Sequence, residues 1–147
     1  MSQVDELAKT REPRVIKLLS MTVNARLGTS NPKTQQPHVV PVWFLWDGES
    51  IWISAFSSTR KVKDLQRNRR CSILIEPSEP ANSELQAVLL EGICELIAEQ
   101  PFVAVMSEKV YEKYLGPEGV KAKEPQSWKI DPENRIVKLT PQKVYIW

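Results

Sequence analysis

The dipeptide Asp47-Gly48 joins two apolar runs, residues 38–46 (HVVPVWFLW) and Ile51–Phe56 (IWISAF), and this pairing constrains the fold more than any other stretch. An Asp-Gly turn between strand-like runs closes a hairpin, because glycine accepts the positive φ that a tight turn requires. The two runs therefore lie antiparallel. The first is apolar on both faces, which predicts burial on both sides for at least part of it. Pro41 inside it has no N–H to give to a ladder, which predicts a bulge or an unpaired position.

Similar short runs recur along the chain. Residues 22–29 alternate, with Val23, Ala25 and Leu27 on one side and Asn24 and Arg26 on the other, the period of a strand. Residues 70–76, 85–98, 127–130, 135–140 and 143–147 read as further strands, and Gly92 in the second of these predicts a bulge or close backbone approach. Residues 5–20 read as helical with a break at Pro13. Residues 100–115 form the clearest helix, with Phe102, Val105, Met106, Val110 and Tyr114 turned to the core and Gly116-Pro117 as its stop. The charged stretch 119–126 reads as a loop. Six or seven strands with hairpin links predict a mainly β chain with an antiparallel sheet and added helices. A closed or half-closed barrel is the natural way to bury strands that are apolar on both faces.

At 147 residues the chain suits one domain spanning 1–147. Cys71 and Cys94 are the two cysteines; each sits in an apolar run with no CxxC, which predicts buried reduced thiols and no zinc or iron–sulfur site. The first residues carry Asp5 and Glu6 and no long apolar core, and no run approaches a membrane span, so a cytoplasmic protein without a membrane partner is expected. The basic set Lys61, Lys63, Arg67, Arg69 and Arg70 is interrupted by Asp64 and has no interleaved aromatics, and the net charge is only +2, which argues against nucleic acid.

One stretch carries chemistry. After Ile51–Phe56 come the hydroxylic residues Ser57-Ser58-Thr59, then Arg60-Lys61 at the start of a short helix whose Val62 and Leu65 have helical spacing. Hydroxyls, fixed cations and backbone amides at a helix start are the parts of a phosphate site. A Ser/Thr cap before a solvated basic helix uses the same residues. His38, the one histidine, reads as a surface or packing residue. The five tryptophans read as core and interface residues.

The segments ARLGTS (25–30), PHVVPVWF (37–44), DGESIWISAFSSTRKVKDLQRN (47–68), RCSILIE (70–76) and VLLEGICELI (88–97) together resemble the pyridoxamine 5′-phosphate oxidase-like family of FMN-binding split β-barrels. The resemblance implies a six-stranded antiparallel split barrel, generally a homodimer, with FMN at the subunit interface. It places the phosphate contacts on Thr59, Arg60 and Lys61, and the ring and ribityl contacts near Val40, Pro41, Val42, Ser54 and Ala55; of the five tryptophans, Trp43 is the one expected to stack near that ring. It implies an oxidoreductase acting on a small organic molecule, with the flavin carrying the chemistry and no dedicated catalytic side chain. Departures set the chain apart from the true oxidase. His38 and Trp43 stand where that enzyme has basic residues, Asn68-Arg69-Arg70 stands for Asn-Pro-Arg, and the ending KVYIW lacks an Arg-x-His pair. Pyridoxamine phosphate is therefore not the expected substrate. Two other branches of the superfamily stay open: a reductase using an 8-hydroxy-5-deazaflavin coenzyme, and a flavin- or haem-binding carrier without turnover.

Overall fold

The computed structural model describes residues 2–147. In chain order the elements are α1 (Gln3–Lys9), α2 (Pro13–Leu19), β1 (Ala25–Ser30), β2 (Pro37–Val42), β3 (Leu45–Trp46), β4 (Ile51–Phe56), α3 (Arg60–Arg67) and β5 (Arg70–Ile75). There follow β6 (Val88–Ile93), β7 (Glu95–Ile97), α4 (Phe102–Gly119), α5 (Lys123–Lys129), β8 (Asn134–Leu139) and β9 (Lys143–Ile146). The strands form two antiparallel sheets, ordered β2-β1-β5-β6-β9 and β3-β4-β8-β7. This is a split barrel. Six strands of six residues make its body, and β3, β7 and β9 are shorter additions.

The two sheets enclose a core to which both contribute: Leu27 and Ile73 from the first, Ile53 and Val137 from the second, closed by Leu18 and Leu19 of α2 and Leu65 of α3. A smaller cluster forms where α4 lies on the second sheet, with Val103, Met106 and Val110 against Trp52 and Ile136.

The Asp47-Gly48 turn forms as expected. Leu45 pairs with Trp52, and Gly48 takes a φ of 101°. Asp47 Oδ1 accepts the amides of Glu49 (2.8 Å) and Ser50 (2.7 Å), and Oδ2 accepts Trp52 Nε1–H (2.8 Å), so the carboxylate ties the turn to the strand it starts.

The run 38–46 corrects an expectation. It is not a strand buried on both sides: β2 is the edge of the first sheet, with Val39 64% exposed and Pro41 exposed opposite Arg26. An edge has one row of unpaired amides, so a proline there removes no ladder bond. The apolar residues on both faces serve two sheets in turn, because the chain leaves the first after Val42 and enters the second at Leu45, burying Phe44 in between. The run 85–98 divides in the same way, into β6 and β7 on either side of Cys94. Gly92 is a close approach: a Cβ there would lie 3.1 Å from Leu139 Cδ1 and 3.2 Å from the backbone nitrogen of Gln142.

Two further expectations change. Residues 127–130 are not a strand; Ser127 and Trp128 belong to α5, which also takes in part of the stretch read as loop. Pro125 falls in the first turn of that helix, where no N–H is needed. The buried face of α4 is Val103, Met106, Ser107, Val110 and Tyr111, whereas Phe102 and Val105 are exposed. The core-facing stripe includes a serine and a tyrosine that a purely apolar pattern passes over. Gly116 does end the regular helix, at φ 80°, and the last turn restarts at Pro117.

Among the described residues, no helix is long and apolar enough to cross a membrane.

Candidate functional site

The site begins where β4 ends. The Ser57 amide donates to the Glu133 carbonyl (2.8 Å), and Thr59 Oγ1 donates back to the Phe56 carbonyl (2.6 Å). With its hydroxyl directed there, Thr59 is the N-cap of α3 without capping it by side chain. The first-turn amides of α3 thus keep their capacity for a ligand oxygen.

Beside this turn lies a cleft of about 280 Å³. Five of the residues expected from sequence line it: Trp43, Ser54, Ala55, Thr59 and Lys61. Lys61 is half-buried, and burial lowers its pKa below the ordinary lysine value. It makes no ion pair among the described residues. Arg60 faces elsewhere. Its Nε lies 3.8 Å from Asp64 Oδ2, in a neighbouring groove with Ser58, Lys63 and Arg67. Asp64 is buried and also accepts the Thr29 hydroxyl (2.9 Å), so Arg60 stands over a carboxylate already anchored to β1. Val40, Pro41 and Val42 do not line the cleft of a single chain: Val42 is buried in the core, Val40 packs against it, and Pro41 is exposed. His38 lies in a separate groove with Gly28, Arg70 and Glu91.

Four cleft residues were not anticipated: Phe56, at the end of β4, and Tyr111, Trp128 and Asn134. Tyr111 stands edge-on to Trp43 (centroids 6.4 Å apart, 70°) and to Trp128 (5.8 Å, 86°), which makes a continuous aromatic wall. The floor is polar. Ser54 Oγ donates to Asn134 Oδ1 (2.9 Å), Ser107 Oγ donates to Ser54 Oγ (3.0 Å), and Asn134 Nδ2 donates to Ser107 Oγ (2.9 Å). Tyr111 Oη lies 2.8 Å from Ser54 Oγ. Burial raises the tyrosine pKa, so the phenol stays protonated. Tyr111 lay outside the expected stripe of α4, Trp128 lay in a run read as strand, and Asn134 in a run read as turn. No local pattern marked them, because the burial of Ser107 and Tyr111 on α4 is set by packing.

Trp43 is held from behind. It stacks on Tyr114 (4.7 Å, 5°), whose Oη donates to the Val23 carbonyl (2.7 Å) and accepts the Phe44 amide (3.1 Å). Lys113 Nζ donates to the Phe44 carbonyl (3.0 Å), and burial draws its pKa down to about 8. The crossover between sheets is thereby fixed to α4 at the residue after Trp43.

The arrangement is a cleft with one desolvated cation, a hydroxyl at a helix start, an aromatic wall and a polar floor. Residues 14–147 match the family described as pyridoxamine 5′-phosphate oxidase. The chain belongs to that family. Solved structures share the family fold. A conserved hypothetical protein from Mycobacterium tuberculosis is 24% identical, with 92% of this chain and 83% of that one covered at a TM-score of 0.76. An F420 reductase is 22% identical (88% and 94% covered, TM-score 0.70), and the haem storage protein HutZ from Vibrio cholerae is 13% identical (92% and 93%, TM-score 0.72). Over 99 residues the chain is also 32% identical to an aspartate aminotransferase from Pinus pinaster; the match takes in 67% of this chain and 18% of that protein.

Proposed function

We propose that the cleft binds FMN and that the protein is a homodimeric, FMN-dependent oxidoreductase acting on a small organic molecule. The observation that carries this reading is Lys61: a half-buried ammonium without an ion pair among the described residues, facing a cleft it shares with the Thr59 hydroxyl. A desolvated cation without a counter-charge favours an anionic ligand, and a phosphate bearing nearly two negative charges supplies one. The wall of Trp43, Tyr111 and Trp128 suits a flat aromatic ring on the same ligand. Thr59, Lys61 and the first-turn amides of α3 would hold the phosphate, and Ser54 and Ala55 would lie along the rest of the molecule. The isoalloxazine, when bound, supplies electron transfer; this chain supplies binding, orientation and shielding from water.

Family membership supports a flavin-type ligand. The deazaflavin coenzyme is the second reading, and the fold shared with an F420 reductase favours it. The carrier reading draws on the fold shared with a haem storage protein; His38, the one imidazole of the chain, does not line the cleft.

Titrating the purified apoprotein with FMN and with the 8-hydroxy-5-deazaflavin coenzyme, followed by ligand fluorescence, tests the reading. Saturable binding of FMN in preference to the deazaflavin is the expected result. The reverse preference would move the protein to the reductase branch, and binding of neither would remove the coenzyme assignment.

A further inference from the structure

Helix α5 gives one side chain to the cleft, Trp128, and has little of its own to hold it there. It is seven residues long, no side chain caps its start, and Pro125 is its buried residue. A helix this short does not keep its shape in water unaided, so its place depends on its neighbours.

The side-chain ties to α5 converge on one carboxylate. Glu108, on α4, accepts the Lys129 ammonium on Oε2 at 3.1 Å and the Gln126 side-chain amide on Oε1 at 3.3 Å. Lys129 follows Trp128 directly and Gln126 stands two residues before it, so the two oxygens hold the helix on both sides of the indole. Tyr111, three residues further along α4 and so on a neighbouring part of its surface, meets that indole edge-on at 5.8 Å. The Lys129 carbonyl adds a longer tie, to Asn134 Nδ2 at 3.3 Å.

The directions of the two bonds are set by their donors. Gln126 Nε2 also donates to the Val120 carbonyl at 2.8 Å; that carbonyl can only accept, so the amide cannot turn its oxygen to Glu108 without losing this bond. An ammonium can only donate. Both partners therefore require an acceptor at position 108, and a carboxylate offers one oxygen to each. The Lys129 bond first, and then Gln126, hold the Glu108 carboxyl below its ordinary value, which keeps it ionised at neutral pH. A glutamine there would turn an NH2 donor toward one of the two.

We infer that Glu108 is a positioning residue of the cleft: it sets the place of Trp128, and through Trp128 the affinity for the flat ring of the coenzyme. The second half of this rests on the coenzyme reading of the cleft; the first half does not.

Protein labelled with 5-fluorotryptophan carries a fluorine probe on each of its five tryptophans, and the Trp128→Leu variant assigns the resonance in question. Glu108→Gln keeps the size of the side chain, and thermal unfolding checks that each variant folds. The expected result is a shifted or broadened Trp128 resonance in Glu108→Gln, while that of Trp147, bonded to Ala87 just before β6, stays in place. The second measurement titrates whichever of FMN and the 8-hydroxy-5-deazaflavin coenzyme the wild-type protein binds. Glu108→Gln should lose about threefold to tenfold in affinity, the scale of one misplaced aromatic contact. The double variant should lose no more than Trp128→Leu alone, because Glu108 acts through the indole, whereas a merely structural role would add its own loss. Equal affinities, losses that add or an unmoved Trp128 resonance would overturn the inference and leave the coenzyme site standing. Should the wild-type protein bind neither coenzyme, the coenzyme reading falls separately, and the fluorine spectrum alone upholds or overturns the placement of Trp128 by Glu108.

Discussion

Arg60 and Lys61 are neighbours in sequence and part company in space. Arg60 is the more exposed of the two and leans on Asp64, whose carboxylate is fixed by Thr29. Lys61 turns into the cleft with no counter-charge among the described residues. A helix turns by about 100° per residue, so adjacent side chains leave on different faces and only one of them can face a given cleft. The two cations therefore differ in their expected weight. Lys61→Ala should weaken FMN binding by roughly tenfold or more, the scale of a charge-assisted hydrogen bond removed from a desolvated site. Arg60→Ala should weaken it by about threefold or less, as suits a partly exposed pair. Fluorescence titration of the two single variants decides between them, and a larger loss from Arg60→Ala would reverse the assignment. The sequence marked the pair as a phosphate-binding candidate. It could not say which member faces the cleft.

At the scale of elements, α1 closes an edge of the first sheet. Glu6 Oε2 accepts the Val144 amide of β9 at 2.8 Å, and Lys9 Nζ bridges Glu6 (3.1 Å) and the Val144 carbonyl (3.2 Å). An edge strand otherwise offers such groups to another chain. The Val144 amide first, and then Lys9, hold the Glu6 carboxyl below its ordinary value of 4.5. A carboxyl whose pKa is lower in the folded chain stabilises the fold above its unfolded pKa. That contribution fades as pH falls through the folded pKa. Thermal unfolding measured from about pH 6 down to about pH 3 should show the wild-type melting temperature dropping more steeply than that of Glu6→Gln below about pH 4.5. Parallel curves would show that the α1–β9 contact does not titrate with Glu6. Other features at this scale were partly legible. The break at Pro13 and the stop at Gly116 were visible because proline and glycine act through their own backbones. Helix α5 was not, because its buried positions are Pro125 and a half-buried Trp128, too sparse for a periodic signal.

At the scale of the molecule, no layer among the described residues covers the outer face of the first sheet. Its cross-strand rows run Pro41, Arg26, Leu74, Leu89, Tyr145 and Val39, Gly28, Ser72, Glu91, Lys143. Val39, Ile93, Tyr145 and Trp147 are between 42% and 64% exposed there. Gly28 in the second row leaves the sheet open to close approach. A second copy of the chain on this face would account for these apolar residues and for the dimer proposed above. Replacing Val39 and Tyr145 together by lysine should then convert dimer to monomer in light scattering coupled to gel filtration. A dimer that survives both lysines would place the subunit contact elsewhere.

What the sequence determined by itself was local: the Asp47-Gly48 hairpin, the period-two runs that make the chain antiparallel β, and the hydroxylic, cationic start of α3. Each depends on residues within a few positions of one another, where backbone sterics and side-chain periodicity act directly. Tertiary structure alone decided where the runs 38–46 and 85–98 divide between sheets, because that depends on which core each half meets. It also decided the far wall and floor of the cleft. Ser54 meets Tyr111 and Asn134 across separations of 57 and 80 residues, and no local pattern marks positions that only the packing of α4 and β8 against β4 brings together.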